Sequence, residues 1–474
     1  MALPTEHPDS ARSTLGYVIL WTLTLGVPLL IWFAPLGLDP TIQKALAITA
    51  FMIGSWMTHA QDVAISGLMG LYLFWITGVA PFGDAFHGFS TSTPWFLFGA
   101  LLFGLMAAKS GLARRLAFIV MRRVGHTYAR LLLGVIIADF LLTFIVPSGI
   151  ARVVIMAAIA TGLVEAFGYG RGSRIGVGLF IILVYTATIF DKMLIAGAAS
   201  ITARGLIERV GGVEVLWSRW FLAYLPCDIL TIVIAWRLTL WMYPPERDTL
   251  PGGAAFLDEE LRKMGRLTPM EWRSMALFAI GLGLWMTDFI HRIPSPMIGL
   301  GIGLAAVLPR IGVLDVEDVK KVNLLPMFFV ASAISMAHVL ETTKALDVLT
   351  RALFAWIEPF LTSAWSSTFV LYWTAFVYHI IIGDEISMLA TSLPMLMNHA
   401  KASGLDPLAL GMIWTFSAGG KIFLYQSAVL VVGYSYGYFT VRDLLKVGAA
   451  LTIVEALILF FLVPLYWPMI GIRL

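Results

Sequence analysis

Across 474 residues the chain carries one cysteine, Cys227, so no internal disulfide can form. Neither a thiolate metal cluster nor a thiol mechanism has enough ligands to be built from it. Charge is also scarce, at 13% of residues, and the acids and bases nearly balance to a net +3. No phosphate loop, metal-ligand cluster or nucleophile triad occurs, so the sequence offers no enzyme, no cofactor site and no nucleic-acid-binding surface. What fills the space is apolar: 59% of residues are hydrophobic and mean hydropathy is +0.86. Apolar stretches of roughly 17 to 25 residues, long enough to cross a bilayer, recur from about residue 17 to residue 472. The expected fold is all-α and polytopic, with about 11 transmembrane helices in one membrane domain.

The opening "MALPTEHPDSARSTLG" is polar and mixed in charge, and no convincing small-residue cleavage site follows the first apolar span, Tyr17 to Ala34. That span is expected to be a true helix rather than a signal peptide. Arg114, Arg115, Arg122 and Arg123 form one basic cluster, followed by Arg171 with Arg174, Arg266 with Arg273, and Lys320 with Lys321. By the positive-inside rule these mark the cytoplasmic side, with the N-terminus cytoplasmic and the protein in the plasma (inner) membrane.

The longest polar interruption, Tyr243 to Ser274, falls near the middle of the chain and reads as a linker. On either side of it the same series recurs. An apolar helix from about Pro94 leads through "GLARRLAFIVMRR" into the stretch Ala129 to Phe167, broken by Val146 to Arg152. An apolar helix from about Leu324 leads through "TKALDVLTRALFAW" into Ser363 to Asn398, broken by Ile382 to Ser387. Each stretch is expected to be a re-entrant helical hairpin, because non-helical backbone at membrane depth survives only inside protein or beside a cavity. The two amphipathic segments suit helices lying in the interface.

A second interrupted segment follows each hairpin: "ATIFDKMLIAGAAS" in the first half and "FSAGGKIFLYQSAV" in the second. Setting Gly197 against Gln426 brings Lys192 onto Lys421 without a gap. Broken helices at corresponding places in two halves point to a transporter site near the midplane. The boundaries expected are a tail at 1–16, scaffold helices at 17–127, a transport unit at 128–243, a linker at 244–272, scaffold at 273–360 and a second transport unit at 361–474. An odd number of crossings per half inverts one repeat against the other.

"GFSTSTPWFLFGALLFGLMAAKSGLARRLAFIVMRRVG" (Gly88 to Gly125), "IVPSGIAR" (Ile145 to Arg152) and "GYFTVRDLLKVG" (Gly437 to Gly448) resemble the divalent anion:sodium symporters, carriers of dicarboxylates, citrate or sulfate. The resemblance implies an elevator-type, homodimeric secondary transporter of the ion-transporter superfamily, by symport or antiport. In that family a Ser-Asn-Thr triplet at each hairpin tip faces a proline-containing unwound helix, and together they bind two sodium ions and the substrate. Here the tips read Ser148, Gly149, Ile150 and Asp384, Glu385, Ile386, facing "GAAS" (Gly197 to Ser200) and "QSAV" (Gln426 to Val429). The substrate-binding set carried over is therefore Ser148, Gly149, Ile150, Asp384, Glu385, Ile386, Ser200 and Ser427, with no metal ligands.

Because the sodium motifs are degenerate, Lys192 and Lys421 are expected to act as built-in cations, with Asp191, Asp384 and Glu385 as the acids available to pair with them. Sodium is then dispensable and protons can take its place. A structural salt bridge for the lysines and helix capping for Asp384 and Glu385 are the plainer readings. Asp139 reads as a structural hydrogen-bonder, His379 as a packed polar contact or a relay, and Arg152 as an anion ligand or a hairpin clamp. Gly149, Gly197, Gly419 and Gly420 would permit unwound backbone, and Trp95, Trp373 and Trp414 belong to the interfacial belt or the core. The function expected is transport of a small di- or tricarboxylate-like anion. The rivals are a sodium-coupled dicarboxylate or sulfate symporter and a proton-coupled carrier of a zwitterion or cation.

Overall fold

A computed structural model describes residues 14–125, 127–146, 148–247 and 253–474, and among them there are helices and connecting turns but no strand. Seven of these helices are long and apolar enough to cross a membrane: Ser92–Ser110, Gly149–Ala166, Arg174–Gly211, Trp217–Met242, Leu325–Thr342, Ala364–Ile382 and Val441–Leu465. Shorter apolar helices, including Val63–Ile76, Ser295–Ala305 and Pro407–Ser417, lie among them. The first span runs as one helix from Thr14 to Phe33, with a single π turn at Thr22–Gly26.

The two halves exchange partners. Ser92–Ser110 packs along Ser295–Ala305, while Leu325–Thr342 packs along Val63–Ile76. Small residues set both approaches. A Cβ on Gly99 would stand 2.5 Å from the carbonyl oxygen of Gly299, and one on Gly67 would stand 2.8 Å from Ser332 Cβ. Where lipid is as apolar as leucine, such close backbone contact is what holds helices together.

The expected basic clusters gather at one end of the molecule. From the amphipathic helix Leu112–Val124, Arg114 pairs with Glu260 at 2.8 Å and Arg122 with Asp258 at 2.6 Å, both on the linker helix Gly253–Met264. Arg115 is buried against Glu271 at 2.5 Å and also donates to the carbonyls of Met264 and Gly265. Lys109 reaches Asp315 at 3.0 Å and also bonds Asp318, beside Lys320 and Lys321. The helix after the linker begins at Pro269, inside the stretch expected to be linker. Thr268 and Glu271 form a capping box there, and a proline at the first turn gives up no hydrogen bond. The second amphipathic helix, Ala345–Phe354, follows Leu325–Thr342 at the opposite end.

Candidate functional site

Each hairpin turns for a local reason. The first pairs Tyr128–Thr143 with Gly149–Ala166, and Ser148 Oγ accepts the amide of Ala151 at 3.3 Å to cap the second arm. Residue 147 of that tip lies outside the described residues. The second pairs Ala364–Ile382 with Glu385–Ala402. Its helix stops at Gly383, whose φ of +81° suits glycine, and Asp384 caps the next arm by accepting the amide of Ser387 at 2.8 Å and its hydroxyl at 2.9 Å.

The broken helices are interrupted between Met193 and Ala198, and between Ser417 and Ala428. In the second break Gln426 Oε1 accepts the amides of Ile422 and Phe423 at 2.7 and 2.8 Å, replacing backbone bonds that the helix no longer supplies.

These four elements surround a cavity of about 210 Å³. Ser148, Gly149 and Ile150 line it from the first tip, and Asp384, Glu385 and Ile386 from the second. Asp191, Ala198, Gln426 and Ser427 line it from the breaks, and Leu97, Leu101 and Pro326 close it from the scaffold side. Gly149, Ala198, Glu385 and Ala428 each open a helix at this cavity, so four helix N-termini converge on it. Each brings unpaired N–H groups and about half a positive charge. Such a place favours an anion.

Behind the second tip, Lys421 donates to Glu385 Oε2 at 2.7 Å, and Lys192 stands 3.4 Å from Oε1 while donating to the carbonyl of Thr188 at 3.0 Å. All three side chains are nearly removed from solvent. Lys192 and Lys421 thus share one carboxylate and stand one layer back from the cavity wall. A Cβ on Gly419 would sit 2.8 Å from Lys192 Nζ, which is the close approach that position requires.

Two of the three acids expected to pair with the lysines have other partners. Asp191 binds Arg152 at 2.8 Å, and Asp384 is occupied in capping. Arg152 is completely buried: it also pairs with Asp139 at 2.9 Å and donates to the carbonyls of Val146 and Ala187 at 3.1 and 2.7 Å. Its alternatives therefore resolve to a clamp that ties the first hairpin to the first broken helix. Ser200 is fully buried and donates to the carbonyl of Gly197, so it does not face the cavity. His379 meets the carbonyl of Gln426 at 3.2 Å.

The family profile described as "Sodium:sulfate symporter transmembrane region" matches residues 15–473. The chain belongs to this family. It is 25% identical to the citrate/succinate antiporter of Escherichia coli K12, with 81% of this chain and 80% of the relative covered. It is 24% identical to a putative malate transporter of Bacillus subtilis over 98% and 99%, and 24% identical to the chloroplastic dicarboxylate transporter 2 of Spinacia oleracea over 95% and 82%. Among solved structures it is similar to Neisseria gonorrhoeae MtrF, described with a class of antimetabolite efflux pumps, at a TM-score of 0.57 and 11% identity, covering 93% and 97% of the chains. That likeness concerns the fold alone. Membership makes the chain a multi-pass membrane transporter, not an enzyme.

Within this family member, one charged residue beside the site escaped the sequence reading. Glu455 lies in the last helix, 2% exposed, and the fields of Lys192 and Lys421 both reach it. Its signal was available: an ionisable side chain in the middle of an apolar span is a candidate functional residue.

Proposed function

We propose that this transporter exchanges small di- or tricarboxylate anions across the plasma membrane without needing sodium, Lys192 and Lys421 holding the place of bound cations. The observation that carries the reading is the convergence of four helix N-termini on one cavity, backed by two buried ammonium groups that share Glu385. Small organic anions are the substrate class. The relatives described as citrate/succinate and L-tartrate/succinate antiporters support exchange as the mode.

The paired charges compensate one another. Arg152 with Asp139 and Asp191 leaves one negative charge, and Lys192 and Lys421 with Glu385 leave one positive, so the six paired residues cancel, while Asp384 and Glu455 stand outside this balance. About 2.3 kcal/mol accompanies each further net charge per 100 mV crossed.

Every polar group on the cavity wall belongs to a hairpin or a broken helix, and the scaffold offers only Leu97, Leu101 and Pro326. This favours an elevator motion in which the polar contacts travel with the substrate and slide along an apolar rail. The helices Leu112–Val124 and Ala345–Phe354 then link moving and fixed parts. In this reading the N-terminus is cytoplasmic, the basic end faces the cytoplasm and the protein works as a homodimer.

The test is counterflow in proteoliposomes loaded with succinate, with labelled succinate outside and sodium replaced by choline. Internal succinate should accelerate uptake equally in both salts. Uptake that needs a sodium gradient and ignores internal substrate would overturn the reading.

A further inference from the structure

Gly448, Thr452 and Glu455 are spaced i, i+4 and i+7 on the helix Val441–Leu465, and so form one stripe. The stripe faces the second break. A Cβ on Gly448 would stand 2.4 Å from the carbonyl oxygen of Lys421, and one on Gly420 would stand 2.9 Å from Thr452 Cγ2. Tyr372 fixes the register by donating to the carbonyl of Thr452 at 2.8 Å. Glu455, one turn beyond Thr452 on this stripe, therefore lies on the helix face turned toward the second break, and it does not line the cavity.

Its bonding is incomplete. Among the described residues no hydrogen bond or ion pair reaches the Glu455 carboxyl, and Oε1 is fully buried; Thr452 Oγ1, one turn away, is also unpartnered. Six titratable groups on five elements act on it: Lys192 and Tyr185 from the first broken helix, Lys421 from the second break, Glu385 and Tyr372 from the two arms of the second hairpin, and Cys227 from Trp217–Met242. Burial disfavours its charged form and the two ammonium groups favour it, so this carboxyl stands between two opposing influences. The other paired acids of the site already have cations or capped amides.

We propose that Glu455 is the proton-carrying residue of this transporter, ionised as counter-charge to the Lys192–Lys421 pair when the cavity is empty and protonated when a dianion occupies it. The inference rests on the anion-carrier reading. Lys192 and Lys421 exceed Glu385 by one positive charge, which Glu455 offsets in the empty site. A dianion entering on the far side of Glu385 reverses that balance, and the carboxyl with the fewest donors takes up the proton. One proton then moves with each dianion, drawn from the side on which the substrate binds.

Two arms test this on purified full-length protein. In the first, without substrate, infrared difference spectra across a pH step should contain a carboxylic-acid carbonyl band that is lost in Glu455→Gln and moved in Glu455→Asp. In the second, succinate binding should take up one proton in the wild type, so that the Kd for doubly ionised succinate rises tenfold for each unit by which the pH is raised above the transition seen in the infrared arm. That slope should vanish in Glu455→Gln, return in Glu455→Asp, and persist in Asp228→Asn, which alters another buried acid that has no ion pair among the described residues. Identical infrared spectra, or an unchanged slope in Glu455→Gln, would overturn the proposal. If the wild type binds no succinate or other dicarboxylate, the carrier reading fails, and the infrared arm still decides whether Glu455 titrates.

Discussion

Removing one ammonium from the shared pair is the sharpest perturbation of this site. In Lys421→Met the side-chain length is kept and the 2.7 Å contact to Glu385 is lost, leaving the carboxylate with Lys192 at 3.4 Å. At an effective dielectric of about 20, the lost contact at 2.7 Å represents roughly 6 kcal/mol of gross attraction. Relief of the repulsion between the lysines offsets part of this, and breaking a buried pair by removing one partner costs about 3–5 kcal/mol net. At about 2 °C per kcal/mol, the midpoint of thermal unfolding in detergent should fall by roughly 6–10 °C.

Transport should suffer further. The moving body gains a net negative charge, so crossing a potential of about 100 mV changes one half-cycle by about 2.3 kcal/mol, close to fifty-fold. The assay is succinate exchange in liposomes with the potential clamped by potassium and valinomycin, beside an unfolding scan of Lys421→Met, Glu385→Gln and the double variant. The double variant should lose less than the two single losses combined, because a neutral Gln no longer needs the missing ammonium. Strict additivity, or voltage-independent exchange at the wild-type rate in Lys421→Met, would refute the idea of a shared, charge-balancing pair.

Gly149→Ala should abolish exchange and destabilise the protein by about 1–3 kcal/mol, since the new methyl would lie 2.8 Å from Asp191 Oδ2 and 3.0 Å from the carbonyl of Ala187, whereas Gly283→Ala meets nothing within 4 Å and serves as control in the same unfolding scan. Asp384→Asn keeps a capping side chain while deleting a negative charge at the cavity, so the Kd for succinate should drop about tenfold or more; Asp384→Ala should instead lose about 1 kcal/mol of helix capping. At the end remote from the basic clusters, Arg209 contacts His87 at 2.6 Å, and burial together with that guanidinium lowers the imidazole's pKa below its usual 6.5. A depressed pKa means that this contact contributes stability above about pH 6.5 and loses it as pH falls through the lower folded value. The unfolding midpoint of the wild type relative to His87→Gln should therefore decline between about pH 7.5 and 5.5, and a flat difference would contradict it.

The hairpins could be read from sequence because a polar break in some 40 apolar residues has few other solutions in a bilayer. The juxtaposition of Lys192 and Lys421 followed from aligning the two interrupted segments without a gap. The choice of acid for each base did not follow. Asp191 and Lys192 are adjacent in sequence, but successive residues of a helix point about 100° apart, so one side chain meets Arg152 and the other meets Glu385. Asp384 and Glu385 diverge because Asp384 has extended backbone and caps the helix from outside, whereas Glu385 is its first residue and reaches both lysines. Ser200 fails to reach the cavity because it lies on the inward face of Ala198–Gly211, a direction that periodicity in an apolar helix does not mark. Glu455 was missed because it lies about 30 residues beyond the second break, outside every motif that drew attention to the site.

The reciprocal arrangement of the halves extends to the site itself. Ala198–Gly211, from the first half, packs on Glu385–Ala402, and Ala428–Ser435, from the second, packs on Gly149–Ala166. During synthesis, Lys192 enters the membrane roughly 190 residues before Glu385 exists. At about 5–20 residues per second, its ammonium waits on the order of 10–40 s for the carboxylate that will neutralise it. Until then the first half can be inserted but not finished, and its unwound segment must remain near water, or near the insertion machinery, rather than in lipid. Biogenesis therefore runs to a timetable in which arrival of the second half completes the single site, and a ribosome stalled inside the central linker leaves a half-protein with a stranded buried charge, the kind of intermediate that membrane quality control can recognise.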